Sequence, residues 1–255
     1  MQATVPGANR TGAARSPQGT QAMMEAAAEL TPAATIDMEP IRTERIRSIT
    51  EAESVGSIPP ADGEAGLSIL LDKMGERLAF ERTGTRLYDA LITKYEALSR
   101  VDGSALAPAR EAAAGNREGL DLSALEDETP AQTLTRIRDE ELAHFKLLAD
   151  AMMELGADPT AQTPCADVVG TASMGFMQVL TDPRTTLAQC LNTMLGAELA
   201  DNAGWELLIQ LADDAGESDL AGQFLAALGE EQEHLTIIKS WLTALVSSGA
   251  GTPAV

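Results

Sequence analysis

The sequence predicts an all-α protein built on four long helices. Only 3% of its residues are aromatic although 44% are hydrophobic, whereas strands favour aromatic and β-branched side chains. Apolar residues recur at steps of three and four along four segments, as one face of a helix requires. Cap residues followed by proline, at Thr129-Pro130 and Asp182-Pro183, and glycines stand at several ends of these segments, where helices start and stop.

The composition excludes several classes of partner. The chain has 255 residues, and its 39 acidic and 18 basic residues give a net charge of −21, so nucleic acid and anionic membranes are poor partners. No apolar run approaches the roughly 18 residues of a membrane span. Two cysteines, Cys165 and Cys190, make no disulfide framework, and no hydrophobic secretory signal opens the chain. A cytoplasmic location is therefore expected.

The ends of the chain are predicted to lie outside the helical domain. Residues 1–64 form a flexible or extended N-terminal arm, because residues 1–20 have a disordered composition and four prolines interrupt residues 31–64. A short helix is predicted at residues 21–30. Residues 65–248 are the domain, and residues 249–255 are a C-terminal tail.

The first long helix is predicted from Leu67 to about Arg100. Its inward stripe contains Glu81 where a leucine would be expected. Residues 101–128 interrupt the pattern with glycines and a proline, so they are interpreted as an insertion with a short helix near residues 108–116. The stripe consists of Leu67, Leu70 or Leu71, Met74, Leu78, Glu81, Thr85, Tyr88, Ile92 and Tyr95.

The second helix is predicted from Thr129-Pro130, a cap followed by proline at the first helical position, to about Leu155. Gly156 then stops it, and residues 157–182 form a long crossover containing one short helix from Pro164. The inward stripe consists of Leu134, Ile137, Glu141, His144, Leu148, Ala151 or Met152, and Leu155.

The third helix is predicted to open at Asp182-Pro183, and the fourth has Ser218 as its N-cap. The third stripe consists of Leu187, Leu191, Met194, Glu198, Asp201, Trp205, Leu208 and Ala212. The fourth consists of Phe224, Ala227, Glu231, His234, Ile238, Trp241 and Leu245. Both tryptophans, and Cys190 on the third helix, are interpreted as core residues.

The chain's only two histidines stand in matching surroundings. His144 follows Glu140 and Glu141 by four and three residues, and His234 follows Glu230 and Glu231 in the same way. A Glu and a His three residues apart lie on one helix face. With one more inward glutamate on each remaining helix, the sequence indicates a duplicated helix pair.

Inward carboxylates are costly unless they are paired or bind metal. No buried lysine or arginine is expected in the four stripes to neutralise them. Metal binding is therefore favoured over a set of buried hydrogen bonds without metal.

A glutamate on each of two helices, with Glu-x-x-His on the other two, resembles the ferritin-like di-iron carboxylate superfamily. The likeness spans residues 67–247 and is closest to rubrerythrin- and bacterioferritin-type four-helix bundles, without a rubredoxin domain. It implies that Glu81 and Glu198 are terminal ligands and that Glu141 and Glu231 bridge two metals. His144 and His234 would each bind one metal. The implied cofactor is two iron ions, with manganese or a mixed manganese–iron pair as alternatives.

Other residues near this pattern have two open interpretations each. Asp201 stands where rubrerythrins have an additional glutamate, so it is either a further ligand or an acceptor that holds a ligand or water. Glu140 and Glu230 either accept the outer N–H of an imidazole or are solvated charges. Tyr88 has a redox or hydrogen-bonding role or is core. Gly84 is interpreted as leaving room for a small substrate.

The resemblance implies a rubrerythrin-like peroxidase or ferroxidase that reacts with hydrogen peroxide or dioxygen. Two cysteines cannot build a Cys₄ rubredoxin site, so an external electron donor is expected. Subunits of an iron-storage cage, an oxidase or oxygenase for an organic substrate, and a metal-containing structural module are the alternatives. A homodimer is left open.

Overall fold

The computed structural model describes residues 65–101, 106–114 and 128–249. These residues form seven helices and no strand, which confirms the all-α class. The N-terminal arm, its predicted helix at residues 21–30, most of the 101–128 insertion, and residues 250–255 of the tail lie outside the described residues. Within the described part, no helix combines the length and apolar character that crossing a membrane requires.

Four of the helices are long and three are short. The long ones are α1 (Ala65–Val101), α3 (Pro130–Glu154), α6 (Leu187–Asp214) and α7 (Ser218–Ser247). The short ones are α2 (Ala109–Ala113), α4 (Pro164–Ala172) and α5 (Met174–Thr181). α1 packs along α3, and α6 packs along α7. α1 also lies against α6, whereas α3 and α7 lie farther apart.

The start of α3 is the one that the sequence predicts. The Thr129 hydroxyl accepts a hydrogen bond from the Gln132 backbone N–H, and the Gln132 side chain accepts one from the Thr129 N–H at 2.9 Å. Pro130 occupies the first helical position, where its missing N–H leaves no bond unmade. At the other end, Gly156 adopts a φ of +75°, the left-handed conformation that favours glycine after a helix.

The predicted start of the third long helix at Pro183 is wrong. The Asp182 carboxylate instead accepts a bond from the Arg184 N–H at 2.8 Å in the turn after α5. α6 begins at Leu187, because Thr186 and Gln189 form a reciprocal cap like that of α3. A cap residue followed by proline thus also fits a turn, which the sequence pattern alone does not distinguish.

Two further boundaries differ from the prediction. The single helix expected in residues 157–182 is two helices that meet at Ser173. Ser218 is the first residue of α7 and not its cap, since Glu217 occupies the cap position without a side-chain hydrogen bond. Neither difference moves a residue of the four inward stripes.

Apolar residues of the long helices form two clusters, one toward each end of the helices. One contains Leu87, Leu134, Leu191, Ile238 and Trp241, with Cys190, and the other contains Leu71, Leu148, Trp205, Leu208 and Phe224. The predicted core positions of Cys190 and both tryptophans are confirmed. In each long helix, the inward acidic or histidine residues lie between the two clusters.

Candidate metal centre

All six predicted ligands lie buried in the middle of the four long helices. None is more than 3% exposed, and Asp201, at 2%, lies among them. The inward stripes explain this placement, because each carboxylate or imidazole stands at a core position between apolar turns. The set comprises Glu81 on α1, Glu141 and His144 on α3, Glu198 on α6, and Glu231 and His234 on α7.

Three overlapping groups of these side chains could each hold a metal ion. In each group the candidate ligand atoms lie within 4.8 Å of one another. The groups are Glu141, Glu198, Glu231 and His234; Glu81, His144 and Glu231; and Glu81, Glu141, Asp201 and Glu231. Glu231 belongs to all three and Glu141 to two. A carboxylate shared by two ion positions is what a bridging ligand requires, so the geometry is compatible with the roles that the resemblance implies.

The two imidazoles turn their Nδ1 atoms toward the carboxylates. His144 Nδ1 lies 2.7 Å from Glu231 Oε1 and 3.8 Å from Glu81 Oε2. His234 Nδ1 lies 3.2 Å from Glu231 Oε2 and 3.7 Å from Glu141 Oε1. Nδ1 is therefore the ring atom available to a metal in both residues.

The outer Nε2 atoms make crossed contacts between α3 and α7. His144 Nε2 lies 2.8 Å from Glu230 Oε2, and His234 Nε2 lies 2.8 Å from Glu140 Oε2. Each histidine thus bonds to the glutamate preceding the other histidine's Glu-x-x-His. An outer carboxylate that accepts the N–H fixes both the tautomer and the ring orientation. Glu140 and Glu230 lie where this role requires them.

Arg136 connects one of these outer carboxylates to its surroundings. Its Nη1 lies 2.9 and 3.0 Å from the two oxygens of Glu140, its Nε lies 3.2 Å from Glu128, and its Nη2 lies 2.7 Å from Glu233 on α7. Arg136 was not among the predicted site residues. The four-residue spacing between Arg136 and Glu140 was the available signal.

A buried arginine lies beside the cluster, on α1 but outside the four inward stripes in which none was expected. Arg77 is 4% exposed. Its Nε lies 3.3 Å from Glu81 Oε1, and its Nη1 lies 3.1 Å from Asp201 Oδ1. Nη1 also donates to the carbonyl of Asp201 at 3.1 Å, and the guanidinium lies 4.1 Å from the centre of the Phe80 ring.

Arg77 fits because α6 leaves space for it. A Cβ atom on Gly204 would clash with the guanidinium. Arg77 lies one residue before Leu78, beside the predicted stripe and not on it, which is why the apolar pattern did not indicate it. Its four-residue spacing from Glu81 could have indicated it. Asp201 therefore has a counter-ion, which was not predicted, and it also belongs to the third group of candidate ligands, as its predicted role of a further ligand requires.

Tyr88 and Trp205 occupy related places in the two helix pairs, each seven residues after a predicted terminal ligand. The Tyr88 hydroxyl donates a hydrogen bond to the Glu198 carboxylate, and its ring meets His234 edge-on at 6.4 Å. The Trp205 ring meets His144 edge-on at 5.4 Å. Tyr88 thus has the predicted hydrogen-bonding position in addition to its place in the core.

Two small features complete the packing around the ligands. The Asn202 side chain donates to the backbone carbonyls of Glu198 at 2.9 Å and Glu231 at 3.1 Å, and so joins α6 to α7. It was not predicted, because nothing in the local sequence indicates a partner on the next helix.

A Cβ atom on Gly84 would clash with the Glu141 carboxylate. The space beside Gly84 therefore belongs to Glu141, and its interpretation as room for a substrate is wrong.

Burial and mutual repulsion shift the carboxyl groups toward their protonated forms. They raise the pKa of Glu81 and Glu141 well above the usual range, and that of Glu198 to about 8. Burial alone would also raise the pKa of Glu231, but the neighbouring histidines lower it to about 2. Burial would lower the pKa of His144, but hydrogen bonds to Glu230 and Glu231 raise it to about 9. In the metal-free protein, protons bound to these carboxyl groups and imidazoles therefore neutralise charge that a metal cation would otherwise neutralise.

Several ligand atoms are buried without a hydrogen-bond partner among the described residues. They include both oxygens of Glu81, one oxygen each of Glu141, Glu198 and Glu231, and Nδ1 of His144. Unpaired buried oxygens are costly, and a cation would satisfy them. Carboxylates and imidazoles suit iron or manganese, whereas a structural zinc site would use thiolates. The residues present therefore fit a pair of such cations.

Comparisons with protein-family models, curated proteins and solved structures returned no match. The resemblance to ferritin-like proteins consequently depends on the residues and geometry described above.

Proposed function

We propose that this chain is a ferritin-like di-iron protein that reacts with hydrogen peroxide or dioxygen. The observation that carries the proposal is the sharing of two glutamates between groups of candidate ligands. Glu231 belongs both to the group with His144 and to the group with His234, and Glu141 belongs to the group with His234 and to one with Glu81. Glu81 and His144 would hold one iron, Glu198 and His234 the other, and the shared glutamates both. The four long helices would then be a ferritin-like bundle, with residues 155–186 as its crossover.

The charges of the cluster support two divalent cations. Four glutamates carry four negative charges, which two such cations neutralise, and Arg77 neutralises Asp201 at 3.1 Å. A buried site with matched charges avoids the desolvation cost of an unpaired ion. One cation would leave two negative charges uncompensated in the same volume.

When bound, a pair of reduced iron ions supplies the two electrons that, with two protons, convert hydrogen peroxide to two water molecules. The protein's part is to hold the ligands and exclude bulk water. The ligands are at most 3% exposed, and Tyr88 fixes Glu198 by a hydrogen bond. Glu140 and Glu230 fix the imidazoles. An external donor would restore the electrons.

The test combines metal analysis with rapid mixing. Protein purified without chelators should contain two irons per chain, and its ferrous form should be oxidised rapidly by peroxide, without mineral forming in excess iron. Two manganese ions, or one of each metal, would replace iron in the proposal. Uptake of hundreds of irons per assembly would favour storage, and no oxidation by peroxide or dioxygen would leave a structural module.

Glu141→Ala provides the site variant for this test. It should lose at least one metal and the reaction with peroxide, because it removes a shared carboxylate. Glu154→Ala, an exposed acid at the end of the same helix, is the matched control and should retain both.

A further inference from the structure

We infer that Arg136 is a positioning residue that makes the two proposed metal positions unequal, by fixing the outer partner of His234 alone. The inference rests on the proposed metal centre. Arg136 contacts neither histidine. It acts through Glu140, whose two oxygens lie 2.9 and 3.0 Å from Arg136 Nη1 and whose Oε2 lies 2.8 Å from His234 Nε2.

The corresponding contact of His144 lacks this support. Glu230 lies 2.8 Å from His144 Nε2, but within the described residues it makes no ion pair with a lysine or arginine. Its side chain is 53% exposed, against 23% for Glu140. A carboxylate with both oxygens within 3.0 Å of one charged guanidinium nitrogen is restricted in orientation by charge-assisted hydrogen bonds, whereas a half-exposed one exchanges its partner with water.

The repeat itself shows the origin of the difference. Arg136 stands five residues before Glu141, and the residue five before Glu231 is Ala226, which is exposed. A four-residue spacing places Arg136 next to Glu140 on the helix surface, and Ala226 has the same spacing to Glu230. A single position therefore decides whether the outer carboxylate has a cationic partner.

The inequality should appear as a difference in metal affinity. Loss of an outer partner of a ligating histidine costs about 10- to 100-fold in metal affinity. Arg77 should also lower the metal affinity of the position at His144, because its guanidinium lies 3.3 Å from Glu81 and would repel a cation there. The position at His234 should therefore fill first.

The two histidines allow each position to be observed separately. With ¹⁵N-labelled histidine, the protein gives one imidazole spectrum per position, because no other histidine is present. Zn²⁺, which is diamagnetic and binds carboxylate and imidazole, serves as the titrant. In Arg136→Gln, Zn²⁺ affinity at His234 should fall several-fold, by no more than the roughly 10- to 100-fold that loss of Glu140 itself would cost, and that at His144 should stay within about twofold. Equal losses at both histidines, or none at either, would overturn the inference.

Two further variants separate positioning from general support. Glu233→Ala removes the 2.7 Å contact from Arg136 to α7 but leaves Glu140 in place, so affinity at His234 should not change. If it falls as far as in Arg136→Gln, Arg136 is a clamp between helices and the inference is wrong. Ala226→Arg gives Glu230 a partner at the same spacing, and a several-fold gain at His144 supports the inference.

The same spectra distinguish this inference from the proposed function. If Zn²⁺ shifts neither imidazole of the unsubstituted protein, the metal centre itself is wrong. If it shifts both and Arg136→Gln has no selective effect, the centre stands and the role of Arg136 fails. Thermal unfolding of each metal-free variant verifies that it is folded.

Discussion

The two halves of the candidate centre use the same ligand pattern in different electrostatic surroundings. In the half around His144, Glu81 and Asp201 share the buried cation Arg77. In the half around His234, Glu198 accepts a hydrogen bond from the neutral Tyr88 hydroxyl. Arg77 stands four residues before Glu81, in the half around His144. The corresponding residue four before Glu198, in the half around His234, is Met194. A repeated set of candidate ligands therefore does not make two equivalent sites, because neighbouring residues determine the charge around each candidate metal position.

The largest effect is expected from removing what the halves share. Glu231→Gln should abolish binding of both metals, since this residue belongs to every group of candidate ligands. The loss of affinity should exceed the roughly 10- to 100-fold that an outer partner contributes. Metal analysis after dialysis measures it. Glu198→Gln is the comparison and should retain one metal, in the half around His144; two metals retained in Glu231→Gln would disprove the sharing.

The next largest effect is expected on the pH dependence of the metal-free protein, to which carboxyl groups of both halves contribute. Burial raises the pKa of Asp201 to about 6, limited by Arg77, and that of Glu198 to about 8. A raised folded-state pKa gives stability that is complete below the unfolded-state value and is lost as pH rises through the folded value. The free energy of unfolding should therefore fall between about pH 4 and 6 for Asp201 and continue to about pH 8 for Glu198.

Urea unfolding at several pH values measures this loss. Bound metal should remove most of it, because it holds the carboxylates in their charged form. A metal-free protein that is more stable at pH 8 than at pH 5 would contradict the buried carboxylate cluster.

Arg77→Met makes the first half resemble the second and should cost about 3–5 kcal/mol in the metal-free protein at neutral pH. The substitution leaves Asp201 buried without its counter-ion, the case in which breaking an ion pair is most destabilising. Urea unfolding measures the change. The double variant Arg77→Met with Asp201→Leu should recover most of the loss, because apolar replacement of both partners is often neutral. No recovery would show that Arg77 acts through Glu81 instead.

The smallest loss of stability is expected from a substitution in the half around His234. Tyr88→Phe should cost about 1–3 kcal/mol, because it removes the hydrogen bond to the Glu198 carboxyl group. Both metals should still bind. Tyr95→Phe is the matched control, since Tyr95 is the chain's only other tyrosine and is partly buried, and it should change stability by less. Equal costs for the two variants would mean that the bond to Glu198 is not significant.

The sequence predicts the helices and the buried ligand positions because both depend on local periodicity. The leucines before and after Glu141 and His144 turn their helix face toward the core. Glu141 and His144 lie on the same face, so both are expected to be buried. Thr129 and Pro130 likewise define a helix start through local chemistry.

The contacts that the sequence does not predict are between distant segments. Whether Arg77 turns inward depends on a carboxylate at Asp201 and on the missing side chain of Gly204, both on another helix. Asn202 similarly finds the Glu231 carbonyl only after α6 and α7 have packed. Spacing along one helix cannot specify these partners, because they depend on how the helices are rotated relative to each other.

The crossed contacts of the histidines have a consequence for the repeat itself. Glu140 with His234 and Glu230 with His144 are the same pair of positions, exchanged between the two helix pairs. Reciprocal exchange of this kind is the signature of an isologous interface, in which two copies of one surface meet about a twofold axis. Two separate copies of either helix pair could make both contacts with a single sequence. Conversely, a single helix pair would not hold its own imidazole, so it is complete only when a second pair, of either kind, faces it.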